Sequence, residues 1–235
     1  AAHAIHRTAG LTVAAHLTCV DASRDETLAV ASDYAKAGIN QIVALRGDPP
    51  AGQDRFTPHP DGFTDSCDLI RGLRDAGNFT IRVGAYPDIH PAANYGLADL
   101  DWLKAKIDAG AHEAITQFFF QAETFFRFRD AATKAGITAP ILPGILPIEN
   151  WARARNFAKR CGAKIPNSLD QAFETAGRDD RQDLLAMAQA TELCSDLIDG
   201  GVDHLHFYTL NRPSLTRDIC QAIGLRVDAP LAAVA

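Results

Sequence analysis

The chain has 235 residues, 47% of them hydrophobic, and a formal net charge of −6 with both signs interspersed. That is enough apolar material for a sizeable core, in the size range of one α/β barrel or one large α/β domain. The acidic balance and the lack of any basic run exclude a nucleic-acid footprint, and no apolar run approaches the length of a membrane span.

In chain order, Leu11–Val20 reads as a strand entered from a turn at Gly10. Asp21 or Ser23 caps a helix over Arg24–Ala37, which Gly38 stops. The run Ile42-Val43-Ala44-Leu45 has no polar alternation, the pattern of a strand covered on both faces. It ends in Arg46-Gly47-Asp48, where Gly47 permits a sharp turn and Pro49-Pro50 cannot continue a ladder. The following loop, Gly47–Gly62, is rich in Pro, Gly and Asp and long enough to be functional. Helix Thr64–Ala76, strand Thr80–Tyr86, helix Leu97–Ala109, strand Ala114–Phe119, helix Glu123–Ala135, strand Pro140–Leu146 and helix Glu149–Arg160 come next. Ala163–Arg181 reads as irregular or weakly helical, Asp183–Asp199 as a long helix, His204–Leu210 as the last strand and Pro213–Ile223 as the last helix. Residues 226–235 form an untidy tail, and with no linker or composition shift the expectation is one domain over 1–225.

Strand and helix alternate strictly, the pattern of βα units on a parallel sheet. Six strands are expected, near residues 11, 40, 79, 113, 140 and 204. A closed (β/α)₈ barrel needs eight, whereas an open doubly wound sheet accepts six but usually carries a Gly-rich turn after its first strand. HLTCVDASRDE at 16–26 is not such a turn, so either the sheet is open or two barrel units are missing. The five cysteines contain no CxxC and read as reduced thiols of a cytoplasmic protein, not as a disulfide frame or a zinc site. His3, His6 and the pair His204/His206 form no metal-ligand pattern, and AAHAIHRTAG lacks the apolar core of a signal peptide.

Polar residues recur at the C-terminal ends of the strands: His16 and Thr18, Arg46 and Asp48, Tyr86, Asp88 and His90, Gln117, then Tyr208, Asn211 and Arg212. In parallel α/β folds that rim carries the chemistry, and convergence of polar ends there is what a ligand site requires. Gln117 lies in the apolar run ITQFFF, so its amide must be satisfied, either by a ligand or by a neighbouring strand.

HLTC at 16–19, IVALRGDPP at 42–50, AYPDIHP at 85–91, LKAKIDAGAHEAITQFFF at 103–120, PGILPI at 143–148 and HFYTLNR at 206–212 occur in this order. Together they resemble methylenetetrahydrofolate reductase of the bacterial, single-domain type, from about His3 to Leu225. The resemblance implies a TIM (β/α)₈-type barrel with FAD as cofactor, reducing 5,10-methylenetetrahydrofolate to 5-methyltetrahydrofolate with NAD(P)H, a step of one-carbon metabolism toward methionine biosynthesis. It implies flavin contacts at His16, Leu45, Arg46, Gly47, Asp48, Tyr86, His90, Asp99 and Lys106. It implies folate contacts at Asp48, Gln117, Tyr208 and Arg212, and places Phe157 against the bound pyridine or folate ring, with Asp48 as the catalytic carboxylate. Family members are commonly homo-oligomeric. The chain departs from the pattern in two ways. Arg153 stands where Gln is often found, and the family's opening FEFFPP strand, with its acidic Glu, and a second βα unit have no counterpart here. The six expected strands would then be strands 3–8 of the barrel, in a fragment of a longer protein or a truncated paralogue that binds flavin or folate without turnover.

Overall fold

The structure, a computed structural model, describes residues 2–49, 52, 56–88 and 98–225. The elements in order are α1 (Ala2–Ala9), β1 (Ala14–Thr18), α2 (Arg24–Lys36), β2 (Gln41–Leu45), α3 (Ser66–Ala76), β3 (Thr80–Ala85), α4 (Ala98–Asp108), β4 (Glu113–Thr116), α5 (Ala122–Lys134), β5 (Ile141–Leu142), β6 (Gly144–Ile145), α6 (Trp151–Cys161), α7 (Asn167–Arg178), α8 (Gln182–Asp199), β7 (His206–Phe207) and α9 (Pro213–Ala222). One sheet has the order β1-β2-β3-β4-β5 and a second pairs β6 with β7. Strand order that follows chain order, with helices between parallel strands, is the winding of a TIM-type barrel. A doubly wound sheet would reverse direction at a switch point. Among the described residues no helix is long and apolar enough to cross a membrane.

Two compact units partition the chain. The first takes in the residues up to Gly84 together with Asp101–Ala114. In it β1 and β2 pair in parallel, from Ala14 opposite Gln41 to Thr18 opposite Leu45, and β2 pairs in parallel with β3. Ile42, Val43 and Ala44 are all buried, so the continuous apolar run does mark a strand covered on both faces. Ser23, not Asp21, caps α2. The Glu26 N–H donates to its hydroxyl, and the Ser23 N–H and hydroxyl both donate to the Glu26 carboxylate. Arg24 lies over the buried Phe63 ring and pairs with Asp68, which joins α2 to α3.

The second unit takes in Ala85–Leu100 and the chain from Ile115 onward. The three phenylalanines after Gln117 alternate between two cores. Phe118 and Phe120 pack with Trp151 and Phe173, and Phe119 packs with Phe125, Leu193 and Ile219. That alternation is the period of two of an extended chain, carried past the end of β4.

One expectation is corrected and one is sharpened. Seven strands stand among the described residues where six were expected, because the Pro140–Leu146 strand is two short ones, β5 and β6, on either side of Pro143. Pro143 has no N–H to give a ladder. Its carbonyl accepts from the His206 N–H, and the chain passes to β7. Of the two alternatives for the segment 163–181, irregular or weakly helical, the helical one holds, and more firmly than expected, as the 12-residue helix α7. Phe173, fully buried and stacked on Trp151 with centroids 4.4 Å apart, gives that helix an apolar anchor, with Leu169 one turn earlier packed on the same core.

β6 is pinned to β4 by Thr116. The Gly144 N–H donates to Thr116 Oγ1 at 2.8 Å, and the Tyr208 hydroxyl donates to the Thr116 carbonyl at 2.8 Å. A Cβ at Gly144 would meet the Thr116 carbonyl oxygen and lie 2.6 Å from Tyr208 Cε2. Gly144→Ala is therefore expected to destabilise the protein by about 1–3 kcal/mol, the usual cost of overpacking, read from the urea midpoint. An unchanged midpoint would show that this contact is not tight.

Candidate active site

In the first unit the C-terminal ends of β1 and β2 carry a polar rim. His16 and Thr18 share the open face of β1, opposite the buried Ala15 and Leu17. One residue past β2, Arg46 lies half-buried with its guanidinium over the Phe56 ring, 5.1 Å from the centroid, and its Nε donates to the Gly47 carbonyl at 3.3 Å. Gly47 has φ of +90°, and a Cβ there would lie 2.5 Å from Val20 Cγ1. Only glycine meets both conditions, so the backbone at this strand end is packed directly against the Val20 side chain. Asp48 follows, exposed. Leu45 is half-buried at the end of the strand.

Lys106 is buried on α4, and its ammonium donates to the Gly84 carbonyl of β3. A cation that meets flavin phosphate by resemblance is thus tied here to a strand end. Burial holds the His16 imidazole below its ordinary pKa of 6.5, although the side chain keeps an open side. Burial also pushes the Cys19 thiol up to about 11, and its Sγ donates weakly to the Arg46 carbonyl at 3.5 Å. None of the five cysteines is in a disulfide; Cys19, Cys67 and Cys194 are buried and Cys161 and Cys220 half-buried.

In the second unit Gln117 stands one residue beyond β4. Its N–H donates to the Ala85 carbonyl at 2.7 Å, and its Oε1 accepts from the Phe118 N–H at 3.0 Å. The side-chain carbonyl is thus satisfied by the backbone of the next residue. Phe157 on α6 stacks on Phe118 with centroids 5.2 Å apart. Tyr208 packs edge-on to Phe118 and to His206, and burial pushes its phenol above the ordinary value, so it remains a hydrogen-bond donor to Thr116.

Leu210 and Asn211 both take left-handed backbone, φ +48° and +61°, a conformation a leucine rarely adopts. That turn sets Arg212 at the start of α9, where Nη1 donates to Glu149 Oε2 at 2.8 Å. A pocket of about 570 Å³ opens beside this pair. Tyr86 and Asp99 are half-buried, just past β3 and in the first turn of α4. Asp88 accepts from the Lys164 N–H at 2.9 Å, a structural role. His90 lies outside the described residues. Among the described residues no group of three or more His, Cys, Asp or Glu could hold a metal ion.

Three participants were not singled out by the sequence reading. Thr116 could have been, since a fully buried hydroxyl in an apolar run needs a partner just as Gln117 does. Phe56 and Glu149 carried no signal, as their partners are brought to them only by the fold.

A TIM-type α/β fold with polar strand ends of this kind defines an enzyme class with chemistry at one rim. Comparison with known proteins narrows it. The family model for methylenetetrahydrofolate reductase matches residues 1–224. A 5,10-methylenetetrahydrofolate reductase of Salmonella typhimurium is 44% identical over 218 residues, covering 92% of this chain and 72% of the relative. One from Escherichia coli K12 is 43% identical over the same shares. One from Buchnera aphidicola of Acyrthosiphon pisum is 38% identical over 94% of this chain and 74% of the relative. A solved structure described as an uncharacterized Clostridium thermocellum protein that binds two copies of 5-methyl-5,6,7,8-tetrahydrofolic acid shares the fold, with a TM-score of 0.60 at 14% identity over 94% of this chain and 75% of that one. The chain belongs to the methylenetetrahydrofolate reductase family, and its reaction class is the reduction of methylenetetrahydrofolate.

Because the folded-state pKa of His16 lies below the unfolded one, the unfolded chain takes up the proton first as pH falls. The neutral ring's contribution to stability is present above about pH 6.5 and is lost as pH falls below it. The His16 ring protons are expected to titrate by NMR with a midpoint below 6.5, and His16→Asn to reduce the loss of stability on acidification. A midpoint at or above 6.5 would contradict the assignment.

Proposed function

We propose that the protein is a flavin-dependent reductase that converts 5,10-methylenetetrahydrofolate to 5-methyltetrahydrofolate at the expense of NAD(P)H. The observation that carries this reading is the set of polar groups at neighbouring strand ends in the first unit, His16, Arg46, Gly47 and Asp48. The donor set fits a flavin. A close-packed glycine backbone and a guanidinium suit diphosphate and ring carbonyls, an imidazole of lowered pKa can accept a hydrogen bond, and a carboxylate can answer ring N–H groups. FAD, when bound, supplies the hydride relay between the nicotinamide and the folate.

This chain's residues do the rest. In the first unit His16, Leu45, Arg46, Gly47 and Asp48 hold the cofactor, and Lys106 adds positive charge beside β3. Tyr86, His90 and Asp99 are proposed as further flavin contacts. In the second unit Gln117 offers its amide to a pterin edge and the half-buried Phe157 its ring to an aromatic ligand. Tyr208 lines the same region, and Arg212 takes a carboxylate of the folate tail. Asp48 disfavours added negative charge on the nearby ring and favours a cationic folate iminium. A single barrel domain over 1–225, assembled as a homo-oligomer in the cytoplasm and supplying the methyl group for methionine, completes the reading.

Asp48→Asn is expected to raise the potential of the bound flavin, because a neighbouring negative charge is removed. It is also expected to slow folate turnover by roughly 10²-fold, the scale of losing one charge-stabilising group. An unchanged potential together with unchanged turnover would sink the role given to Asp48. Absence of FAD binding by the intact protein would sink the flavin reading itself.

A further inference from the structure

The pocket beside Arg212 is lined in part by Ile148, Glu149, Asp183, Arg212, Leu215 and Asp218. Its described lining holds three carboxylates and one guanidinium. That guanidinium is already engaged, since Arg212 Nη1 lies 2.8 Å from Glu149 Oε2. The two side chains differ in their exposure. Arg212 is 59% exposed and Glu149 26%, so the guanidinium is the more accessible partner to an incoming ligand. An ion pair this open to water is weak, and a ligand carboxylate can exchange for Glu149. The exchange brings that ligand's charge into a field set by Glu149, Asp183 and Asp218. Glu149 borders the same pocket, so its carboxylate stays beside the ligand when Arg212 turns to it.

We propose that Glu149 is a specificity-determining residue: a built-in carboxylate that competes for Arg212 and penalises ligands according to the negative charge of their tail. This rests on the reading of Arg212 as the group that takes the folate tail, and goes beyond it by saying which tails are disfavoured. A tail ending in one glutamate displaces Glu149 from one guanidinium edge. A tail of several linked glutamates brings further carboxylates toward Glu149, Asp183 and Asp218, with no second arginine among the described lining residues to answer them. Asp183 and Asp218, at the start of α8 and on α9, add to the same field, with Asp218 partly offset by Arg217 at 4.0 Å, and removing either should act in the same sense but less strongly than removing Glu149, the carboxylate paired with Arg212.

The test is equilibrium binding of 5-methyltetrahydrofolate bearing one or three glutamates to the flavin-loaded protein, by titration calorimetry, for wild type, Glu149→Gln and Glu149→Asp. Glu149→Gln is expected to tighten the three-glutamate ligand by about fivefold more than the one-glutamate ligand, the worth of one unit charge a few ångströms away in water-like surroundings. Glu149→Asp is expected to keep the wild-type ratio. In wild type alone, added salt is expected to narrow the difference between the two ligands. A ratio unmoved by Glu149→Gln, weaker binding of both ligands in that variant, or a salt-independent ratio in wild type would each overturn the proposal. Failure of wild type to bind either ligand, with flavin retained, would overturn the folate reading on which it rests.

Discussion

The strand ends of the second unit depend on the backbone at Thr116. This residue is fully buried, and it is bonded twice to distant chain, through its hydroxyl to the Gly144 N–H and through its carbonyl to the Tyr208 hydroxyl. A buried polar group that loses its partner costs about 1–3 kcal/mol, so the two bonds fix the ends of β4, β6 and β7 against one another. Gly144 is the only kind of residue that lets this happen, because a side chain there would occupy the position of the Thr116 carbonyl. The residues named for folate radiate from the same point. Gln117 follows Thr116, Phe118 supports Phe157 and the Tyr208 ring, and the turn after Tyr208 delivers Arg212.

The first unit achieves its positioning by a different means. There β2 is buried on both faces, β1 keeps one open face for His16 and Thr18, and the side chains that matter are placed by strand ends and by one tight glycine. His16 and Arg46 are set by backbone register, with Thr18 opposite Leu45, so their spacing follows from parallel pairing and not from a side-chain network. The electrostatic character of the two units also differs. The rim at β2 offers a cation stacked on an aromatic ring with a carboxylate two residues on, and the pocket at Arg212 holds more carboxylate than guanidinium. One environment presents mixed polarity, and the other an excess of carboxylates.

Much of this was legible in the sequence, for physical reasons. The run Ile42–Leu45 announces a strand buried on both faces, and Arg46-Gly47-Asp48 announces a turn that only glycine permits. What was not legible depends on contacts far apart in the chain. Helix α7 was only weakly legible, as one of two alternatives, because the segment 163–181 is broken by polar residues and its anchor is the stack of Phe173 on Trp151. The division of the 140–146 strand follows from Pro143, whose effect depends on a neighbouring strand being present to miss its N–H. Glu149 looked like part of a helix start, and only the fold carries Arg212 across 63 residues to meet it.

The most direct test of the account is the Thr116→Val variant, which keeps the shape of the side chain and removes the acceptor of the Gly144 N–H. Flavin content and the Kd for 5-methyltetrahydrofolate would be measured on the same preparation. The account predicts that flavin is retained, because its proposed strand-end contacts in the first unit do not involve Thr116, while folate binding weakens by about tenfold, the equivalent of one lost buried hydrogen bond. Unchanged folate binding, or loss of flavin in parallel with folate, would contradict the claim that Thr116 organises the folate-facing residues.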